Sequence, residues 1–330
     1  MSIPPTIVAF TRDTWKWEWI QLMKGLAPAD KEGNYKRVPS QKNNAHIQHP
    51  ETLVNRSKNE LPFLIIGRSC PWAHRTWLVY ILRGLQNNID LKLATPDPQG
   101  GRWLIEPNFM GCKTLLELYK LCRTPPSHRA TVPTIIDPKP KGKNNPELLG
   151  NESAQLIKML NDWPVKSNAI NLFPKGIQDE IKQCSELMQS SINDGVYRCG
   201  FARTQKAYED ASSELFHSLS LIEKKLSKQG PWICGDTLTL ADIMLFPTLI
   251  RWESVYAPLF KCSAKPLWAF PKIWEWRKTF FSIPGVKNTC DANVWRRDYF
   301  GALFPLNPSN IIPNGPNIEN IVNSLAPYTR

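Results

Sequence analysis

The sequence predicts an α/β unit followed by an all-α unit, and three observations carry that expectation. A strand pattern, a helical pattern and a second strand pattern follow one another over residues 61–94, about the shortest stretch that joins a parallel pair through a crossover helix. A further apolar strand with a proline inside it, Thr131-Val132-Pro133-Thr134-Ile135-Ile136-Asp137, lies downstream. Beyond Pro164 the strand signals fade, and residues 177–192, 204–228, 239–256 and 270–282 repeat apolar side chains at helical spacing. The chain's 330 residues suit two domains of roughly 100–200 residues each.

Taken in order, residues 1–60 are polar, are interrupted by Pro39 and Pro50, and read as an extended segment wrapped on a domain. Leu61 to Ile66 is a short apolar run of the kind a buried strand shows, and residues 67–71 form a turn. The spacing of Trp77, Leu78, Ile81, Leu82 and Leu85 predicts a helix over 73–85, and residues 89–94 a second strand. A long loop containing Trp103 follows. Pro133 cannot donate into a sheet ladder and belongs at a strand start, an edge or a cis turn. Glu147-Leu148-Leu149 reads as a second hairpin strand, and Asn151-Glu152-Ser153-Ala154 opens a helix that runs through Asn161. Pro305, Pro308, Pro313, Pro316 and Pro327 make residues 305–330 an extended tail.

Composition narrows the function. The longest apolar runs fall well short of the about 20 residues a bilayer crossing needs, and the first residues lack the apolar core of a secretion signal, so a soluble cytoplasmic protein is expected. The eight cysteines are scattered without a CxxC pair and read mostly as reduced, small apolar fillers. The net charge of +12 is compatible with anionic small substrates or solubility; no groove-reading motif accompanies it, so no nucleic-acid partner is expected.

The sharpest local feature is Ser69-Cys70-Pro71-Trp72-Ala73-His74-Arg75. A cysteine between a strand and a helix, with proline at the first helical position, sits where orphan N–H groups and the helix dipole favour an anion. With Arg68, His74 and Arg75 adding positive charge, Cys70 is expected to be substantially thiolate near neutral pH and able to act as a sulfur nucleophile. The alternative is a buried cysteine that happens to precede a helix. A metal site at Cys70 and His74 would have only two ligands and is not expected. If Val132-Pro133 is cis, the Val132 backbone can pair with a peptide-like ligand, while Glu152 and Ser153 at a helix start can meet an amine and a carboxylate. Ser153 could equally cap its helix. Thr239-Leu240-Ala241-Asp242 is a capping box and structural. Tyr197, Tyr256 and Tyr299 are either hydrogen-bond donors to a ring oxygen or aromatic core.

Together these residues resemble the glutathione transferase superfamily. Cys70-Pro71-Trp72-Ala73-His74-Arg75-Thr76, the segments 195–202, 245–251, 260–262 and 307–316, and their order resemble its Xi class, the glutathionyl-hydroquinone reductases. The resemblance implies a thioredoxin-like glutathione-binding domain over 61–164 and an all-helical substrate domain over 165–304. It also implies a homodimer that uses glutathione as co-substrate and no metal. Cys70 would be the catalytic thiol; Trp103, Arg129, Val132, Glu152 and Ser153 would contact glutathione; Tyr197, Tyr256 and Tyr299 would line a hydroquinone pocket. The implied reaction is reductive removal of glutathione from quinone-derived conjugates. An Omega- or Lambda-like thioltransferase or dehydroascorbate reductase, or a ligand-binding protein of the same fold, are the alternatives. The chain departs from the Xi pattern at Ile65-Ile66-Gly67-Arg68-Ser69, at Arg198-Cys199 and at Tyr299-Phe300, where relatives carry a second tyrosine.

Overall fold

The structure, a computed structural model, describes residues 3–37, 53–54, 56–97, 101–165 and 169–323. Its first layer is one six-stranded sheet. Strand β1 (Phe63–Gly67) pairs in parallel with β2 (Asp90–Pro96), Phe63 opposite Asp90 and Gly67 opposite Ala94. The crossover is α2 (Pro71–Leu82), which starts on Pro71, whose ring presets a helical φ, and stops just before Gly84 in the left-handed region. It therefore begins two residues earlier and ends three earlier than the apolar spacing suggests.

On the other side of β1 lie β5 (Thr134–Asp137) and β6 (Glu147–Gly150), both antiparallel to their neighbours. The Val132–Pro133 peptide is cis and leads into β5. Across the sheet, β3 (Trp103–Phe109) and β4 (Cys112–Thr114) extend the edge, giving the order β4-β3-β2-β1-β5-β6. The expected long loop around Trp103 is thus a hairpin. Its pattern is hidden because only Ile105 of β3 is buried and Pro107 interrupts it. Its turn is Met110-Gly111, both with positive φ, the backbone a two-residue hairpin turn requires. Helix α3 (Leu115–Leu121) follows at once, closed by a Thr114–Glu117 capping box.

Helix α4 (Ser153–Asp162) packs against α2 and ends the mixed layer. The remainder is helical: α5 (Gln178–Met188), α6 (Gly195–Phe201), α7 (Gln205–Gln229), α8 (Leu240–Leu249), α9 (Pro271–Phe281) and α10 (Ala292–Ala302). All ten residues of α8 are buried, so this helix is the axis on which the others pack. Its start is the expected capping box: Asp242 accepts from the Thr239 N–H at 2.9 Å, and also from the Ile233 N–H at 3.0 Å and Trp276 Nε1 at 2.9 Å. Helix α2 lies against α8, which brings the Cys70 end of the first unit onto the second. π-helical turns at Gln189–Asn193 and Trp252–Tyr256 re-aim the chain just before Asp194 and Tyr197 and at Tyr256.

Both termini correct the sequence reading. The segment read as extended opens with a 22-residue helix, α1 (Pro5–Leu26), most of it exposed. Its polar and apolar residues do not separate into faces, which is why the helical period is weak. Residues 27–37 then cross the second unit: Arg203 Nη2 donates to the Met23 and Ala27 carbonyls, the Arg203 N–H to the Gly33 carbonyl, and Thr204 Oγ1 to the Glu32 carbonyl. Residues 38–52, with Pro39 and Pro50, lie outside the described residues. In the tail, Ile318–Asn323 forms a short helix, α11, that packs on α9; residues 324–330, with Pro327, lie outside the description. The prolines at 305, 308, 313 and 316 all precede α11 and leave room for that turn.

Candidate active site

Cys70 is the N-cap of α2, with extended backbone angles, and its Sγ lies 3.6 Å from the Val132 carbonyl oxygen. It sits where two clefts of about 230 Å³ each meet. One is polar, with walls that include Arg37, Arg129, Asn151, Glu152 and Ser153. The other is mostly apolar, walled by residues such as Pro71, Pro96, Phe201, Tyr299 and Leu303. Trp72, Trp103 and Tyr197 border both.

Most residues singled out in the sequence converge here. Trp103, Arg129, Val132, Glu152 and Ser153 all line the polar cleft. Glu152 is the N-cap of α4 and Ser153 its first residue, and no side chain caps the helix. The start of α4, with the positive end of its dipole, therefore lies at the cleft, where it favours a carboxylate. Tyr197 and Tyr299 line the apolar cleft, while Tyr256 is fully buried behind them. The three phenol oxygens form a triangle: Tyr197 to Tyr299 at 2.7 Å, Tyr256 to Tyr299 at 3.4 Å, Tyr197 to Tyr256 at 3.5 Å. Burial raises the pKa of all three, so they stay protonated and can donate. At the Tyr299-Phe300 pair it is Tyr299 that borders the cleft.

The charge around the thiol differs from the sequence reading. His74 is buried and burial, with Arg251 beside it, holds its pKa well below the ordinary value, so it is neutral. Its Nε2 meets Thr289 Oγ1 at 2.7 Å and its Nδ1 meets Arg251 at 2.8 Å, which also removes it as a metal partner for Cys70. Arg68 is engaged by Asp291 at 3.1 Å. Arg75 remains close, stacked 4.4 Å from the Trp72 ring centre, with its pKa lowered to about 9 by burial and by Arg37. In the free molecule burial pushes the Cys70 thiol up; the Ala73 and Trp72 N–H groups, Arg251 and Arg37 pull the other way. Burial and the helix-start N–H groups thus oppose one another at the sulfur, while His74 adds no charge and Arg68 is paired.

Several site residues escaped sequence reasoning. Tyr35 and Arg37 come from the segment read only as an extension. Arg37 pairs with Asp194 at 2.8 Å and stacks 3.8 Å above Trp72; Tyr35 packs edge-on against Phe201. No sequence signal marks them, because their value comes from a fold in which residues 27–37 cross the helical unit. Asn151 was legible only as a helix opening. Its Nδ2 donates to Tyr119 Oη, the Arg129 carbonyl and Thr131 Oγ1, and its buried Oδ1 has no partner, leaving an acceptor at the cleft.

A thioredoxin-like sheet, a cis-proline loop and an acid–serine helix start, followed by an all-helical unit, define a glutathione transferase. Residues 205–279 match the model of the glutathione S-transferase C-terminal domain. The glutathionyl-hydroquinone reductase YqjG of Escherichia coli is 31% identical over 263 residues, 77% of this chain and 78% of that one. PcpF of Sphingobium chlorophenolicum, of the same description, is 31% identical over 262 residues, 77% and 82% of the two chains. The glutathione transferase Xi of Phanerochaete chrysosporium superposes with a TM-score of 0.76 at 30% identity, covering 87% of this chain and 94% of that one. The chain belongs to the Xi class of glutathione transferases, the enzyme family of the glutathionyl-hydroquinone reductases. YqjG has also been solved with glutathione bound, and that structure superposes with a TM-score of 0.70.

Proposed function

We propose that the chain removes glutathione from S-glutathionyl-hydroquinones, with Cys70 as the nucleophile. The observation that carries this reading is the position of Cys70 at the junction of a polar and an apolar cleft. A glutathionyl-hydroquinone has the same division, a charged tripeptide joined through sulfur to an apolar ring. Glutathione carries two carboxylates and an ammonium; Glu152 suits the ammonium, and the α4 N-terminus with Ser153, Arg129 and Arg37 suits the carboxylates. The Val132 backbone and Asn151 Oδ1 suit its amides.

In this scheme the Cys70 thiolate attacks the conjugate's sulfur. The S–S bond forms as the bond from sulfur to the ring carbon breaks, its electron pair staying on that carbon, which takes a proton. Tyr197 and Tyr299 donate to the ring oxygens as charge moves onto the ring. Cys70 then holds glutathione as a mixed disulfide. A second glutathione thiolate frees Cys70 and leaves as oxidised glutathione, and its proton balances the one taken up by the ring.

The test is turnover of glutathionyl-menadiol with excess glutathione, following free hydroquinone, for the wild type and Cys70→Ser. Release by the wild type that falls by at least about 1000-fold in the variant, with glutathione binding retained, is the expected result. No release by a wild type that still binds glutathione, or undiminished release by Cys70→Ser, would sink the reading. Efficient reduction of hydroxyethyl disulfide with poor release would point to a thioltransferase.

A further inference from the structure

Behind the reactive helix, Arg251 is a buried charge that meets no carboxylate among the described residues. Arg251 lies between α8 and the Trp252–Tyr256 turn and is fully buried. Its Nη1 donates to the Pro247 carbonyl at 2.8 Å and to His74 Nδ1 at 2.8 Å; its Nη2 donates to the Arg68 carbonyl at 3.3 Å. The guanidinium also stacks on Trp295, 4.1 Å from the ring centre. Every one of these partners is neutral. Arg277, equally buried, shows the usual arrangement: its Nη1 meets the Glu253 carboxylate at 2.7 Å. An isolated buried charge is costly unless something of opposite sign is near.

The contacts locate that charge. Arg68 is two residues before Cys70 and His74 four after it, with the His74 N–H bonded to the Cys70 carbonyl at 3.0 Å. The guanidinium is therefore held beneath the first turn of α2. The hydrogen bonds assign the histidine tautomer: Nδ1 accepts from Arg251, so Nε2 carries the proton and donates to Thr289 Oγ1. A neutral His74 is thus a post that fixes the arginine rather than an acid or base. Two thiols feel this charge, Cys70 and Cys290. Cys290 cannot answer it, because burial pushes its pKa up to about 12. Cys70 has in addition the N–H groups of Trp72 and Ala73.

We propose that Arg251, positioned by His74, is a fixed cation whose counter-ion is the Cys70 thiolate, so that the helical unit supplies the charge that ionises the nucleophile of the other unit. The sulfur's proton goes to solvent and the electron pair stays on Sγ. This rests on the reading of Cys70 as nucleophile. The other charged or titratable groups around the thiol include Tyr35 and Arg37 from the N-terminal segment, the Arg68–Asp291 pair, Arg75 from α2, Arg129 and Glu152 across the polar cleft, Asp298 in the apolar one, and the phenols of Tyr197, Tyr256 and Tyr299. Arg37 touches an acid, Asp194, at 2.8 Å, which screens it.

The experiment is the pH profile of Cys70 alkylation by iodoacetamide in the full chain, with the modified peptide assigned by mass so that other thiols do not count. Arg251→Met should move the profile up by at least one pH unit and slow alkylation at pH 7 about tenfold, while Arg251→Lys stays within about half a unit of wild type. Thermal unfolding checks that each variant is folded; if Arg251→Met is not, Arg251→Gln removes the charge while keeping donors. A folded neutral variant with an unmoved profile overturns the proposal. So does Arg251→Lys shifting as far as Arg251→Met, which would assign the effect to the shape of the guanidinium. Alkylation needs no glutathione conjugate and no turnover, so the outcome is independent of whether Cys70→Ser keeps activity.

Discussion

The two clefts that meet at Cys70 are built in different ways. The polar one adds backbone and helix-end features of the thioredoxin-like unit, namely the cis-proline loop at Val132, the start of α4 and the Asn151 amide, to the charged side chains of Arg37, Arg129 and Glu152. The apolar one sets side chains of α6 and α10 (Tyr197, Phe201, Tyr299) against Pro71, Trp72, Pro96 and Trp103 of the first unit, with the tyrosine triangle at its back. Backbone geometry suits one invariant ligand. Side chains can be altered residue by residue without disturbing the fold. The difference teaches where specificity for the ring is set, and it gives four ways to probe it.

The largest effect should come from the wall both clefts share. A Cβ on Gly67 would collide with the Trp103 ring at Cζ3 and stand 3.0 Å from Val132 Cγ2. Gly67→Ala should drive Trp103 out of place and lower kcat/KM for glutathionyl-menadiol by about 100-fold, or about 2.7 kcal/mol. Steady-state kinetics with tryptophan fluorescence checks it. Next, Glu152→Gln removes a charge-assisted contact worth about 1.5–3 kcal/mol. It should raise the KM for glutathione by roughly 10- to 100-fold and leave affinity for a free hydroquinone unchanged in calorimetry. Tyr299→Phe should do the reverse. Turnover of the conjugate is expected to fall about tenfold while reduction of hydroxyethyl disulfide stays at the wild-type rate; equal losses on both substrates would erase the distinction between the clefts.

The smallest effect concerns the foundation beneath both. Burial keeps His74 neutral in the folded chain, while the unfolded chain binds a proton as pH falls through the ordinary imidazole value near 6.5. The unfolded state then holds more protons, so the stability His74 contributes is complete above that pH and is lost below it. Denaturant titrations should show a loss of about 1 kcal/mol between pH 6.5 and 5.5 from this group, absent in His74→Gln.

How much of this was legible in the sequence follows the same division. Cys70-Pro71, Val132-Pro133 and Glu152-Ser153 are short-range patterns whose meaning depends on neighbours in the chain, and they led to the polar cleft. The β3–β4 hairpin was missed because Pro107 and exposed residues blur its alternation, and α1 because its apolar residues do not gather on one face. Tyr35 and Arg37 owe their place to bonds with Arg203 and Thr204, far along the chain, which no local pattern encodes. His74 shows the opposite error: sequence proximity suggests a charge beside the thiol, but burial keeps the imidazole neutral, whereas Arg75, lowered to about 9, stays charged at neutral pH.

The segment that carries Tyr35 and Arg37 is fastened to the connector at Arg203 and Thr204, and the opposite wall of the apolar cleft ends at Tyr299. During synthesis the chain therefore emerges with Cys70 long before either wall can close. A piece containing only the first unit would carry the sulfur without the side chains of Tyr197, Phe201 and Tyr299, so the apolar cleft exists only once Tyr299, more than two hundred positions downstream of Cys70, has packed against it.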